Sequence, residues 1–464
     1  MKDNAAILKW LGSNLSEFNL PFSFQVPLNY APEIWKKTAN EYQRIILNDG
    51  MNIYDGAIAQ IMWMTSGRLD LAESMIDIFL NSSLGSYAKN SLRAYYNPSD
   101  PLEHPFLYQE QEYQNISGSE TGRRGLLFSF IDARGRFLTK DPLTGATMQW
   151  SDWVPKIGEN AWGGGIGPLQ VYYSKYGLTE NPNAKELILA REIARAGILL
   201  QAENGGLRMS PKGTSSGGGP DYYYIQSTEN NVSFYAHLRM LYYITQDGRY
   251  KVFQDKIEEY FKASFNVKAN YFCRGMHFID EWIKDNIFAS DVQTWSIMSL
   301  GPEKIDKWFG EGTAYKILLE TVEKAGAYKN GKLIGLDFTD YRNINRQAVV
   351  FPEQSFMFCS AAMFAAQYYA ASHPDWSESL TEMSSMIDEG LAKEMLLEDG
   401  KMSYSYSSVG GVFTGHGWFS PPDAGPEPEK KVQSLSSTGW AYFYGMRNDE
   451  MKAGFNPFWL GGKP

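Results

Sequence analysis

The chain has 464 residues, of which 43% are hydrophobic and 21% charged, enough to bury a large core and ordinary for a globular protein. A net charge of −10, with no basic run to neutralise a phosphate backbone, argues against nucleic acid and anionic membrane surfaces as partners, and disfavours strongly anionic polysaccharides. No stretch of about 18 apolar residues is present to span a bilayer. Two cysteines, Cys273 and Cys359, are too few for a zinc site or a disulfide framework, and whether they pair is open.

The aromatic content is high, with 13 Trp, 29 Tyr and 26 Phe. Such residues thicken a core, and some of them can line a sugar-binding cleft. The opening residues, MKDNAAILKWLGSNLSEFNL, lack a secretory apolar core and a small-residue cleavage site. Localisation stays open on this evidence: a cytoplasmic protein begins this way, and so does a secreted one whose signal has been removed.

In chain order the sequence repeats a loose unit of a short polar motif, a very apolar helix, a turn and an amphipathic helix. The motif residues are Asp55 in YDGAIA, Glu159 in ENAW, Glu229 in STENN, Asp291 in DVQTW, Glu353 in PEQSF and Ser437 in SSTGW. The first helix of each unit is apolar nearly all round. Phe356, Met357, Phe358, Cys359, Ala361, Ala362, Met363 and Phe364 leave no solvent face, which demands burial on every side. The second helix keeps a single stripe, as in Leu71, Met75, Ile78 and Phe79, in Tyr315, Leu318, Leu319 and Val322, and in Leu380, Met383, Ile387 and Leu391. Ser66-Gly67-Arg68-Leu69-Asp70 and Gln246-Asp247-Gly248-Arg249-Tyr250 read as glycine-capped turns between the two helices, and His373-Pro374-Asp375 serves the fifth unit. The sixth unit ends without its second helix. An amphipathic segment at roughly 32–48 (Ile34, Trp35, Ala39, Tyr42, Ile45, Ile46) is the candidate to supply it and close a ring.

Buried helices inside one-faced helices make an all-α (α/α)6 toroid. On YDGAIA, STENNVSFYAHL and DVQTW, and on the pattern over about residues 30–460, the sequence resembles the six-hairpin glycosidase superfamily. The resemblance implies one catalytic domain over 1–464, with β-ribbon and loop inserts on the active-site rim at about 105–155, 205–225 and 400–432. Its members include inverting glycoside hydrolases, uronyl hydrolases, sugar epimerases and the toroids of polysaccharide lyases. The inserts fit: Leu126, Phe128 and Phe130 alternate in the first, beside Trp150 and Trp153. The second holds a glycine-rich run at 213–224, and the third alternates Ser and Tyr as a ribbon would. The glycine-rich run lacks the ending of a phosphate loop.

Acids near a helix N-terminus are ordinary partners of its dipole. In a toroid, however, all inner helices start on one face, so Asp55, Glu159, Glu229, Asp291 and Glu353 converge on one funnel, where mutual repulsion raises pKa values. Glycoside hydrolysis needs a protonated carboxylic acid to protonate the leaving oxygen and an ionised carboxylate to activate water or attack the sugar. Glu229 is the expected acid and Asp55 the expected base, with Asp291 as its substitute. Tyr54 is placed to orient Asp55, and Asn230 and Asn231 to hold sugar hydroxyls. Trp162, Trp295 and Trp440, each within four residues of a motif residue, and Trp418 in the third insert offer stacking faces. Among five histidines, His416 between two glycines is the one expected beside a ligand, and His237 within an apolar helix is expected in the core. No paired Cys/His spacing or calcium-loop pattern occurs, so neither metal nor cofactor is expected. The expected function is hydrolysis of a neutral oligo- or polysaccharide, with inversion implied by the resemblance. The alternatives are a polysaccharide lyase, a sugar epimerase, or a non-catalytic carbohydrate-binding toroid.

Overall fold

The computed structural model describes residues 3–28, 30, 47–86, 92–96, 123–136, 138–140, 147–149, 154–212, 221–448 and 451–463. In chain order its helices are α1 (Asn4–Gly12), α2 (Ile53–Thr65), α3 (Leu69–Asn81), α4 (Ile157–Ala161), α5 (Gly167–Tyr176), α6 (Lys185–Ile198) and α7 (Thr228–Thr245). There follow α8 (Gly248–Ser264), α9 (Ser290–Leu300), α10 (Pro302–Phe309), α11 (Thr313–Ala325), α12 (Pro352–Tyr369), α13 (Pro374–Glu394) and α14 (Leu435–Gly445). A π turn, Trp162–Ile166, joins α4 to α5.

The helices α2, α4–α5, α7, α9, α12 and α14 each pack on the next, and α14 returns to α2 to close an inner ring. The second helices α3, α6, α8, α11 and α13 pack outside their partners. This is the (α/α)6 toroid, and the all-round apolar sequences are its cause: α12 is buried at every position from Pro352 to Ala362 and emerges only at its last turns. The outer helices bury one stripe. In α11 that stripe is Ala314, Ile317, Leu318 and Thr321, while Leu319, counted on it from the sequence, faces solvent.

The ring closes from the N-terminus. Among the described residues α1 packs on α14, burying Ile7, Trp10 and Leu11, and Asp3 caps it by accepting from the N–H groups of Ala5 and Ala6. The expected helix at 32–48 falls mostly outside the described residues. Gly67 takes the positive φ of +83° expected of a helix-ending glycine, but the next such turn is different: Gln246 adopts φ +52° and Gly248 is the first residue of α8. Cys273 and Cys359 are buried free thiols.

The second inner strut is tightly packed through its glycines. A Cβ on Gly165 would lie 2.5 Å from Cγ of His237, and one on Gly164 2.4 Å from Cγ1 of Ile193. The glycines of WGGG thus let the π turn touch both the next inner helix and the outer one.

Short antiparallel ribbons brace the starts of the inner helices. Gly50–Asn52 pairs with Phe130–Asp132, Phe24–Gln25 with Gln433–Ser434, and Ile225–Ser227 with Gly275–Phe278, which in turn pairs with Trp282–Asp285. The third insert begins as a ribbon of Leu396–Glu398 and Met402–Tyr404, and beyond it forms a looped strap. At the opposite end of the ring the C-terminal segment seals the axis. Arg239, buried in α7, donates to the carbonyls of Ser299 and Phe458 and stacks on Trp459 at 3.4 Å, while Gln170 donates to the carbonyls of Pro457 and Trp459.

Candidate active site

The starts of the inner helices surround a cavity of about 480 Å³. Each acid arrives in the first turn of its helix for a local reason. Asn52 caps α2 by accepting the N–H of Tyr54 at 2.9 Å, which sets Asp55 in the first turn. Ser227 caps α7 ahead of Glu229. Pro352, fixed in φ, opens α12 ahead of Glu353. Asp291 accepts the N–H of Val292 at 2.7 Å and so serves the free amides of α9. Asp55, Glu159, Glu229, Asp291 and Glu353 all line the cavity, as the toroid geometry requires.

Asp55 and Glu353 are only 7% and 8% exposed, and Glu229 and Asp291 are half-buried. Desolvation therefore dominates their titration. Burial raises the Asp55 carboxyl to about 8, against the Ser23 hydroxyl that hydrogen-bonds it, and the charge of Glu353 adds to the rise. Burial lifts Glu353 to about 7 despite hydrogen bonds from Tyr54 and Ser436. Glu229 is pushed well above the carboxylate range by burial and then by Asp291, Glu159 and Glu353. Asp291 rises least among the printed values, to about 6, because backbone N–H groups and the charge of Arg274 oppose its burial. Lys156, 3.3 Å from Glu159, is the one cation among the described lining residues.

A relay fixes Glu353. The indole N–H of Trp440 donates to the Tyr54 hydroxyl at 2.6 Å, Tyr54 donates to Oε1 of Glu353 at 2.8 Å, and Ser436 donates to Oε2 at 3.0 Å. Tyr54 therefore serves Glu353, not Asp55 as the sequence led us to expect. Burial and the neighbouring Glu353 hold the Tyr54 phenol firmly protonated.

The aromatic expectations divide. Trp162 and Trp295 line the inner end of the cavity, whereas Trp440 is fully buried behind them and reaches the site only through Tyr54. Trp418 lines the outer wall from the strap, 38% exposed, its indole donating to the Tyr406 hydroxyl at 2.8 Å. His416 does not line the cavity. Its ring packs near Phe338 and Trp418, with centroids 5.8 and 6.1 Å away, and burial depresses it to about 4. His237 is a core residue, 3.1 Å from the carbonyl of Ala190. Trp150, Trp153, His104 and residues 213–220 of the glycine-rich run lie outside the described residues.

Asn230 faces the cavity with its side chain against Gly158, where a Cβ would sit 2.1 Å from its Oδ1. Its amide nitrogen has no protein partner. Asn231 instead pins the backbone of Leu207 in the interior and does not line the cavity. Sequence reasoning missed Gln354, whose Oε1 accepts from Ser290 at 2.9 Å, leaving its amide nitrogen without a partner. It also took Ser437 as the sixth motif residue, where the neighbouring Ser436 is the one bonded to Glu353. Among the described residues no group of three or more His, Cys, Asp and Glu is placed to hold a metal ion.

No protein-family model matches the chain, and no curated protein matches it. Solved structures do match its fold. A sugar epimerase from a ruminal bacterium superposes with TM-score 0.57 at 11% identity, covering 96% of each chain. The cellobiose 2-epimerase of Spirochaeta thermophila gives TM-score 0.56 at 13% identity, covering 96% of this chain and 95% of the other. A GH76 α-mannanase of Bacteroides thetaiotaomicron gives 0.51 at 14%, covering 96% and 94%. At 11–14% identity these likenesses show a shared fold, the (α/α)6 toroid.

Proposed function

We propose that the chain hydrolyses a glycosidic bond of a neutral oligo- or polysaccharide, with Glu229 as the general acid and Asp291 as the base. The carrying observation is the convergence of five carboxyls on one cavity, where burial and like charge push Glu229 well above the carboxylate range while backbone N–H groups and Arg274 hold Asp291 lower, at about 6. Glu229 gives its proton to the departing glycosidic oxygen as the bond from the anomeric carbon breaks. Asp291 takes a proton from the water whose oxygen bonds that carbon. For an inverting reaction the two carboxyls stand roughly 6.5–9.5 Å apart, leaving room for the water. Asp55, neutral up to about 8, donates a hydrogen bond to a substrate oxygen, as does the unpartnered amide of Asn230.

Likeness to the mannanase supports an enzyme acting on carbohydrate, and so does likeness to the epimerases. Two features favour hydrolysis. No histidine is among the described lining residues, so a histidine-centred epimerisation has no base there. Among the described lining residues a single cation, itself paired with Glu159, offers a lyase little to neutralise a uronate.

The test is a reducing-sugar and product-anomer assay on neutral glucans, mannans and xylans, with epimer formation followed on the derived disaccharides. Turnover lost in Glu229→Gln and Asp291→Asn, with the fold retained, supports the pair. Epimer without chain cleavage, or turnover indifferent to both substitutions, overturns it.

A further inference from the structure

The cavity has a floor. Trp162 and Trp295 close its inner end with ring centroids 5.3 Å apart, and Phe458 of the C-terminal segment lies 5.3 and 5.4 Å behind them. Trp440 backs the same pair at 6.2 Å from each. All four side chains are essentially buried, and each tryptophan N–H is engaged: Trp162 on Ser233, Trp295 on Met357 and Trp440 on Tyr54. Arg239, Gln170 and Asn456 pin the C-terminal segment across the far side. A glycan cannot thread this ring.

The depth beyond the acids is set by helix geometry. Trp162 follows Glu159 by three residues and Trp295 follows Asp291 by four, so the floor lies roughly 4.5–6 Å below the carboxyl ring at 1.5 Å per residue. That is the depth of one sugar ring. The cavity volume, about 480 Å³, sits at the small end of the roughly 300–1,000 Å³ of small-molecule sites. On the strap side Trp418 and Phe419 wall it, their loop held by Lys431 to Asp423 at 3.0 Å and by Asp423 to the Gly410 N–H at 2.7 Å.

From this dead end, one turn deep, we infer that the protein acts on chain ends and seats only the terminal sugar ring beyond the scissile bond, against Trp162 and Trp295. The inference rests on the hydrolase reading and narrows its substrate class to glycans with an accessible terminus. A chain that descends to Trp162 and Trp295 has no way onward past Phe458 and Trp440, so the ring that reaches the floor is its terminal one.

The experiment uses the full chain and one neutral tetrasaccharide of whichever glycan the panel identifies, in three forms: native, capped at the non-reducing end by a 4-O-benzyl group, and reduced to the alditol. The expected first products of the native form are a monosaccharide and a trisaccharide, and one of the two end modifications lowers kcat/KM by at least 100-fold. Disaccharide as the first product, or full activity on both modified forms, overturns the inference while leaving hydrolysis intact. Where no glycan of the panel turns over, the hydrolase reading fails, and binding decides the terminal site separately. Titration of Glu229→Gln with gluco-, manno- and xylotetraose is then followed by tryptophan fluorescence. Binding of one of them, weakened at least tenfold by one of the two end modifications, supports the terminal site. Equal binding of all its forms, or no binding of any, overturns it.

Discussion

Glu353 ties the electrostatics of the site together. It accepts from Tyr54 and Ser436, and its charge is among the causes that hold both Glu229 and Asp55 above the normal carboxylate range. Replacing it with the neutral isostere removes that repulsion, so Glu353→Gln moves the alkaline limb of the pH–rate profile to lower pH. The full kcat/KM profile from pH 4 to 10 checks this, and an unmoved limb would mean that Glu353 is electrically remote from the acid. Trp440 acts one step further back. Trp440→Phe keeps the ring but removes the donor at 2.6 Å from Tyr54. It is expected to lower kcat with little change in KM, and a rise in KM alone would place the indole against the substrate. Side-chain direction explains why Trp440 and His416 were misjudged from sequence: spacing from a motif gives the helix turn but not whether the ring faces the cavity or the layer behind it. Glu229, Asp291 and Asp55 were legible as acids lining the cavity because the first turn of an inner helix has one open side, and it faces the axis.

At the scale of elements, the inner helices were legible from unbroken apolar runs, since no amphipathic alternative exists for a sequence like that of α12. The segment at 32–48 expected to complete the sixth hairpin lies mostly outside the described residues; among those described, α1 packs on α14 with a short stripe of Ile7, Trp10 and Leu11. The π turn was hidden, because WGGG reads as a helix breaker until its neighbours are known. With His237 packed against it, Gly165→Ala is expected to destabilise the protein by about 1–3 kcal/mol, as overpacking of a rigid interface does. Chemical denaturation measures this directly, and a change under 0.5 kcal/mol would show that the strut can shift freely. Gly158→Ala is expected to act on function instead, because its methyl would displace Asn230 from the cavity wall; KM reports it.

The whole molecule carries the cost of its site as a pH dependence. Asp291, Glu353 and Asp55 have pKa values near 6, 7 and 8 in the fold, against about 4 when exposed. Between those limits the folded state binds more protons than the unfolded one, so these groups favour folding at the acid end and lose that contribution as pH rises through 6 to 8. Thermal unfolding is therefore expected to show Tm falling between pH 6 and 8, with a shallower fall in Asp55→Asn. A Tm that rises across that window in the wild type, or an identical slope in the variant, would contradict the assigned affinities. The (α/α)6 toroid itself was readable as a whole, since six motif-headed hairpins admit few other closed arrangements. The depth of the cavity was not, because it depends on how the last nine or so residues fold back across the ring, and nothing in FNPFWLGGK announces that return.

The most direct test compares two leaving groups. General acid catalysis matters when the departing oxygen needs a proton and fades when it does not, and its contribution is typically 10²–10⁴-fold. A 2,4-dinitrophenyl glycoside of the accepted sugar and its natural disaccharide would be assayed with wild type, Glu229→Gln and Asp291→Asn. The account predicts that Glu229→Gln loses at least about 100-fold on the disaccharide and little on the dinitrophenyl glycoside, whereas Asp291→Asn loses activity on both. Equal losses on the two substrates in Glu229→Gln, or none on either, would remove Glu229 from the role of proton donor.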